Sequence, residues 1–137
     1  MNLLEECSLK MEYIWIAFGS ALGGMARHWL SGFVAQRFGE VFPTGTLIVN
    51  VTGSFVIGLV ATLSDPGGRF LMSVTARQFA MLGVLGGYTT FSSFSLQTLN
   101  LARDGDWLYA GANVLLSVIL CLLAVWLGQV VGRMINH

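Results

Sequence analysis

The sequence predicts an all-α membrane protein that crosses the bilayer four times. Of its 137 residues, 55% are hydrophobic and only 10% are charged, whereas soluble domains carry about 25% charged residues. Four apolar segments, at about 13–34, 44–63, 79–102 and 107–131, are separated by short polar connectors. Each is long enough to cross ~30 Å of hydrocarbon as a helix, and lipid tolerates no irregular backbone on its exposed surface.

We therefore expect one four-helix transmembrane domain over residues 13–134, preceded by a polar extension over residues 1–12. Three glutamates outnumber Lys10 in that extension, whereas a secretory signal begins with a basic region and has an apolar core of only 7–15 residues. The first apolar segment is thus interpreted as a retained helix. Met11 offers an alternative start, in which case residues 1–10 would be an upstream extension.

Three pairs of glycines within the apolar segments are spaced four residues apart: Gly19 and Gly23, Gly83 and Gly87, and Gly128 and Gly132. This spacing lets helix backbones approach each other closely in lipid. Packing between helices of one chain is the simpler interpretation, and a role between two copies is the alternative.

Basic residues are spread almost evenly over the two sides of the predicted bundle. Such a weak bias permits insertion in both orientations, and it predicts an antiparallel homodimer with a pore or site between the copies. The formal net charge is zero, so nothing indicates a nucleic-acid partner. With the N-terminus inside, the inner basic residues are Lys10, Arg69, Arg77 and Arg133, and the outer ones are Arg37 and Arg103.

No carboxylate lies within the four apolar segments. Proton-coupled transporters and cation exporters depend on buried acidic groups, so this pattern favours a neutral or anionic substrate. Arg27 is the one basic residue well inside a segment. It would either raise the local anion concentration or extend its charged group toward the nearer interface.

The second segment carries a polar stripe, because Thr46, Asn50 and Ser54 recur every four residues. The amide of Asn50 offers two N–H donors without a charge. From the spacing, contact with an anion and hydrogen bonding between helices are equally good interpretations of Asn50.

The third segment contains Gly86, Gly87, Thr89 and Thr90 at its centre. Glycine and β-branched threonine disfavour a helix, so a break is predicted near the middle of the membrane. A break frees backbone carbonyls, which is tolerated only where they are buried or bind something. Such carbonyls suit a cation such as Na⁺.

Polar and aromatic side chains follow the break on shared helix faces. Phe91 and Phe94 share one face, and packing between helices is the simple interpretation of this pair. Hydroxyl and amide donors suit a small anion that forms strong hydrogen bonds, and the positive edges of phenylalanine rings can also face an anion. The polar members are Ser92 and Ser95 in the third segment and Tyr109, Asn113 and Ser117 in the fourth.

Three motifs together resemble the Fluc or CrcB family of fluoride channels. They are Gly86-Gly87-x-Thr89-Thr90-Phe91-Ser92-x-Phe94, Gly45-Thr46-x-x-Val49-Asn50-x-x-Gly53 and Gly23-x-x-x-Arg27. The resemblance implies a passive, fluoride-selective channel and not an enzyme. It would form an antiparallel, dual-topology homodimer in the bacterial inner membrane, with two pores, and would protect the cell from fluoride.

The resemblance also implies roles for particular residues. Arg27 would lie near a vestibule, and the carbonyls of Gly86 and Thr89 from both subunits would hold a central structural Na⁺. Relatives often carry Glu at the position of Gln97, so a gating role of that acid stays open here. The implied fluoride pore consists of Asn50, Phe91, Phe94, Ser92, Ser95, Tyr109, Asn113 and Ser117.

Two other classes of protein have the same size and hydropathy. A small multidrug-resistance transporter needs an acidic residue within its first transmembrane helix, and residues 13–34 contain none. A structural or assembly subunit of a larger membrane complex would show no transport by itself.

Overall fold

Helices form nearly all of the protein in the computed structural model, which describes residues 3–39, 41–65 and 67–137. The side chains are described from Lys10 onward, apart from those of residues 40 and 66. The elements are α1 (Leu3–Phe38), α2 (Thr44–Leu63), α3 (Val74–Gln78), the π-helical segment π1 (Phe79–Leu85), α4 (Gly86–Tyr88), α5 (Phe91–Arg103) and α6 (Trp107–Asn136).

The helices extend beyond the apolar segments at both ends of the chain. Helix α1 begins at Leu3, ten residues before the predicted first span, because Leu, Glu, Lys and Met all favour a helix. Hydropathy marks the apolar part of a helix and not its ends. Helices α2 and α6 are each long and apolar enough to cross a membrane. Many large apolar side chains on α1 and α6 point outward, as lipid-facing side chains do.

The third apolar segment is built from several pieces. Ser73 Oγ accepts a hydrogen bond from the Ala76 amide at 3.2 Å, so α3 begins at Val74, before the predicted span. Helix α3, π1 and α4 follow one another without a gap. The predicted break lies at Thr89 and Thr90, whose backbones are extended, with ψ of 156° and 113°. The π-helical geometry of π1 was not predicted.

The paired glycines pack the helices of one chain together, which confirms the simpler interpretation. A Cβ on Gly23 would collide with the carbonyl oxygen of Val84, and one on Gly128 with that of Phe55. The first contact joins α1 to π1, and the second joins α2 to α6. Gly19, Gly83, Gly87 and Gly132 make equally close contacts within the chain.

These contacts fix the two ends of the bundle. Gly58 meets Val125 and Thr62 meets Gly132, so α2 and α6 run in the same direction. Their last residues lie at what we call the C-terminal end, together with the start of α3. The turn end is opposite, where the turn at residues 104–106 joins α5 to α6.

Candidate functional site

The helix break is held by the side chain of Asn50. Its Oδ1 accepts a hydrogen bond from the Thr90 amide at 2.8 Å, and its Nδ2 donates to the Thr90 carbonyl at 3.0 Å. A carboxamide nitrogen has two N–H groups, so one donor remains for a ligand. Asn50 therefore joins α2 to the break and still offers a polar group beside it.

The break diverts two amides from their helical partners. In a continuous α-helix the amide of residue i donates to the carbonyl of residue i−4. The Thr90 amide would then meet the Gly86 carbonyl, and the Ser93 amide would meet the Thr89 carbonyl. Instead they donate to Asn50 Oδ1 at 2.8 Å and to Thr90 Oγ1 at 3.2 Å. The carbonyl oxygens of Gly86 and Thr89 are thus deprived of these two donors.

A groove of about 470 Å³ lies beside the break, and we call it the phenylalanine groove. The rings of Phe91 and Phe94 lie 5.2 Å apart and are tilted by 49°. Phe94 is buried, whereas Phe91 is 78% exposed in the single chain. The polar residues along the groove include Asn50, Ser54 and Ser117, so uncharged donors and aromatic rings share one opening.

A second, polar cavity of about 280 Å³ lies on the other side of Thr90, and we call it the Arg27 cavity. Thr46, Ser93 and Gln97 help to line it. Within the described part of the chain, no carboxylate comes within ion-pairing distance of Arg27. The cavity therefore combines hydroxyl and amide groups with an uncompensated positive charge, which favours an anion.

A third cavity, of about 540 Å³, opens at the turn end. It shares His28, Ser31, Thr46 and Gln97 with the Arg27 cavity. The two cavities are therefore neighbours on the side of Thr90 that faces the turn end, and Asp104 and Asp106 also line the cavity at that end. The Oε1 atom of Gln97 is buried there without a hydrogen-bond partner.

A chain of hydrogen bonds links the backbone of α5 at Phe94 to α6. The Thr98 hydroxyl donates to the Phe94 carbonyl at 2.8 Å, and Asn113 Nδ2 donates to Thr98 Oγ1 at 2.8 Å. Ser117 Oγ reaches Asn113 Oδ1 at 3.5 Å. Asn113 is only 2% exposed, and these contacts fix the helix that carries Phe94 against α6.

The structure brings some of the predicted site residues together and separates others. Five of them line the phenylalanine groove, whereas Arg27 lines the cavity on the other side of Thr90. The Ser92 hydroxyl lies 3.3 Å from Thr90 Oγ1. The exposed Ser95 hydroxyl donates to the Phe91 carbonyl at 2.9 Å. The ring of Tyr109 packs against that of Phe42, with 6.2 Å between the ring centroids. The five groove residues are Asn50, Thr89, Phe91, Phe94 and Ser117.

Sequence reasoning did not assign a role to the side chain of Thr90 or to Thr98. Thr90 lines both the phenylalanine groove and the Arg27 cavity. It is also the N-cap residue of α5, because its hydroxyl accepts a hydrogen bond from the Ser93 amide. The signal for Thr98 was available, because it follows Phe94 by four residues and so lies on the same helix face.

Fold and site together define a class: a small helical protein with two helices able to cross a membrane, a broken helix, and polar cavities beside the break, one of which contains Arg27. Residues 14–129 match the family model described as CrcB-like protein, Camphor Resistance (CrcB). The chain is 58% identical over 127 residues to a "Fluoride-specific ion channel FluC" of Methylocella silvestris, covering 93% of this chain and 97% of the relative. It is 62% identical over 124 residues to the FluC of Opitutus terrae, covering 90% and 94%.

The chain therefore belongs to the CrcB/FluC family, which confirms the resemblance that its motifs indicated. The relatives are named as ion channels and not as enzymes. These names speak against the multidrug-transporter alternative.

Proposed function

We propose that this chain forms a fluoride-specific ion channel that lets fluoride leave the cytoplasm passively and so confers resistance to fluoride. The observation that carries the proposal is its identity of 58% to a relative named as such a channel, over 93% of the chain. Hydrogen fluoride would enter by diffusion and dissociate inside, where the charge of fluoride prevents its return through lipid. A multi-pass protein of the bacterial inner membrane would provide the exit.

The geometry supports a route for a small anion. An isolated ion in a low-dielectric site loses hydration worth tens of kcal/mol by Born estimates, so donors must replace its water. Arg27 would attract fluoride into the polar cavity that reaches Thr90, and the remaining N–H of Asn50 would be offered to the ion on the groove side of Thr90. Beyond Thr90 the ion would meet the positive ring edges of Phe91 and Phe94 and the hydroxyl of Ser117. We assign Ser92, Ser95, Tyr109 and Asn113 to the lining or support of the same route.

A second copy of the chain would complete this route. Phe91 is 78% exposed and the phenylalanine groove is open along one side of the single chain, so a partner is needed to enclose an ion. The near balance of basic residues permits both orientations in the membrane. We therefore place the two copies antiparallel, with a fluoride pore along each groove.

Backbone carbonyls at the break would hold a structural Na⁺ between the two copies. The carbonyls of Gly86 and Thr89 lack the Thr90 and Ser93 amides that a continuous helix would give them. Carbonyl oxygens are hard ligands, and unwound helix backbone coordinates Na⁺ in other membrane proteins. When bound, the ion would neutralise these dipoles and join the two broken helices.

Two preparations test the ion and the orientation. Purified protein in detergent should be dimeric by light scattering in Na⁺, and replacing Na⁺ with N-methylglucamine should lower the dimer fraction. In membranes, a single cysteine introduced at the turn end of a variant without Cys7 and Cys121 should react with an impermeant reagent from both sides. An unchanged dimer without Na⁺ would contradict the ion site, and labelling from one side only would contradict the antiparallel arrangement.

Ion efflux from liposomes tests the function directly. Liposomes that contain purified protein should release fluoride rapidly when valinomycin is added to KF-loaded vesicles, and a chloride electrode should detect no release from matched KCl vesicles. Release of neither ion by folded, inserted protein would contradict the channel and support the assembly-subunit alternative. Release of both ions would contradict the fluoride specificity.

A further inference from the structure

The loop between α2 and α3, at the C-terminal end of the bundle, presents apolar side chains outward. Leu71 is 89% exposed and Phe70 is 57% exposed, and Val74 at the start of α3 is 68% exposed. The loop is nevertheless held in place. The Gly68 amide donates to the Asp65 carbonyl at 2.7 Å, and the Phe70 amide donates to the Leu63 carbonyl at 3.1 Å. The exposure therefore belongs to a fixed surface.

Arginines surround this surface. The Arg69 amide donates to Asn136 Oδ1 at 2.9 Å, and Arg69 Nη1 donates to the Ile135 carbonyl at 3.1 Å. This contact places a cation at the end of α6, where the helix dipole is negative, and leaves further guanidinium N–H groups available. Arg77 lies 3.5 Å from Asp65, and its side chain is 41% exposed. Arg133, four residues before the end of the chain, is also exposed.

The charged side chains that the structure describes are distributed unequally between the two ends. Among the side chains that the structure describes, the C-terminal end carries four basic groups and two acidic ones, whereas the turn end carries two of each. Within this described set, basic groups outnumber acidic ones only at the C-terminal end, where Arg69 and Arg77 flank the exposed loop. The groups at the C-terminal end are Lys10, Arg69, Arg77 and Arg133 against Glu12 and Asp65, and those at the turn end are Arg37 and Arg103 against Asp104 and Asp106.

We propose that an anionic phospholipid binds at the C-terminal end, with its phosphate against Arg69 and Arg77 and an acyl chain beside Phe70 and Leu71. The planar guanidinium donates two parallel hydrogen bonds to a phosphate, and basic clusters at the ends of membrane helices bind acidic headgroups. A free phosphate would use the arginines and leave the apolar loop in water. An anion joined to a hydrocarbon chain satisfies both features.

The location supports a lipid as the occupant. Helix α2 ends at Leu63 and α6 ends at Asn136, and both are long and apolar enough to cross the membrane. The loop and its arginines therefore lie where these helices leave the hydrocarbon. The inference depends on the chain being a membrane protein and is independent of the ion that it conducts.

Native mass spectrometry of the full chain with added phosphatidylglycerol or phosphatidylcholine tests this site. We expect the protein to retain phosphatidylglycerol in preference to phosphatidylcholine, and R77Q to weaken phosphatidylglycerol binding about fivefold, the effect of one arginine near an anionic surface. L71S should weaken binding of both lipids. R77Q is preferred to R69Q, because Arg69 also holds the end of α6.

The matched control is R103Q, which removes an arginine from the turn end. It should bind phosphatidylglycerol as the unaltered protein does. Equal retention of the two lipids by the unaltered protein would overturn the proposal, as would equal losses in R77Q and R103Q. Either result would indicate that the exposed loop binds a protein partner and not a lipid. Fluoride efflux measured in parallel separates this site from the pore, because the proposal stands whether or not the protein conducts fluoride.

Discussion

Replacing Phe91 or Phe94 with isoleucine should reduce fluoride efflux from liposomes by about a hundredfold or more, which corresponds to about 2.7 kcal/mol of added barrier. Isoleucine keeps an apolar side chain but lacks the positive edge that an aromatic ring presents to an anion. The two rings lie 5.2 Å apart in one groove, so loss of either removes half of the aromatic contact.

The two variants differ in what else they disturb. Phe91 is 78% exposed and Phe94 only 9% exposed, so F94I also leaves a packing defect of about 1–3 kcal/mol. F91I is therefore the cleaner test of conduction, and thermal unfolding should be measured for both. F18I, on the exposed face of α1, is the matched control and should conduct normally. Normal efflux through F91I and F94I would show that the rings serve packing alone.

Local sequence features predicted the helix break well. Glycine and threonine weaken a helix wherever they occur together, so the run at residues 86–90 was sufficient to predict a break there. The same reasoning could not find π1, because its residues are ordinary helix formers such as Met81 and Leu82. Its geometry coincides with close contact against α1, where Gly19 meets Gly83. Such a contact depends on tertiary packing and not on local propensity.

The polar stripe in α2 was also predictable, whereas the partners of its members were not. Four-residue spacing placed Thr46, Asn50 and Ser54 on one face, and they line neighbouring openings in the structure. Spacing left Asn50 either as an anion contact or as a helix-to-helix contact. The structure shows that its amide holds the backbone of Thr90, forty residues away. A contact over that separation cannot be read from periodicity within one helix.

This contact makes N50D the second variant with a large expected effect. The carboxylate would keep an acceptor for the Thr90 amide, but its other oxygen would face the Thr90 carbonyl, where Nδ2 now donates at 3.0 Å. It would also place a negative charge beside the proposed anion route. Two like charges about 4 Å apart repel by about 4 kcal/mol at an effective dielectric constant near 20. We therefore expect fluoride efflux to fall by about a thousandfold.

Two further variants separate charge from support of the helix break. N50A removes both hydrogen bonds to Thr90 without adding a charge, so it should conduct less than the unaltered protein and more than N50D. Q36E makes the same change from amide to carboxylate on an exposed part of α1 that lines none of the three cavities. Solvent and salt screen the charge there, so this variant should conduct nearly normally. Equal efflux through N50A and N50D would assign Asn50 to support of the break alone. Normal efflux through N50D, in protein shown to be dimeric and inserted, would remove Asn50 from the anion route.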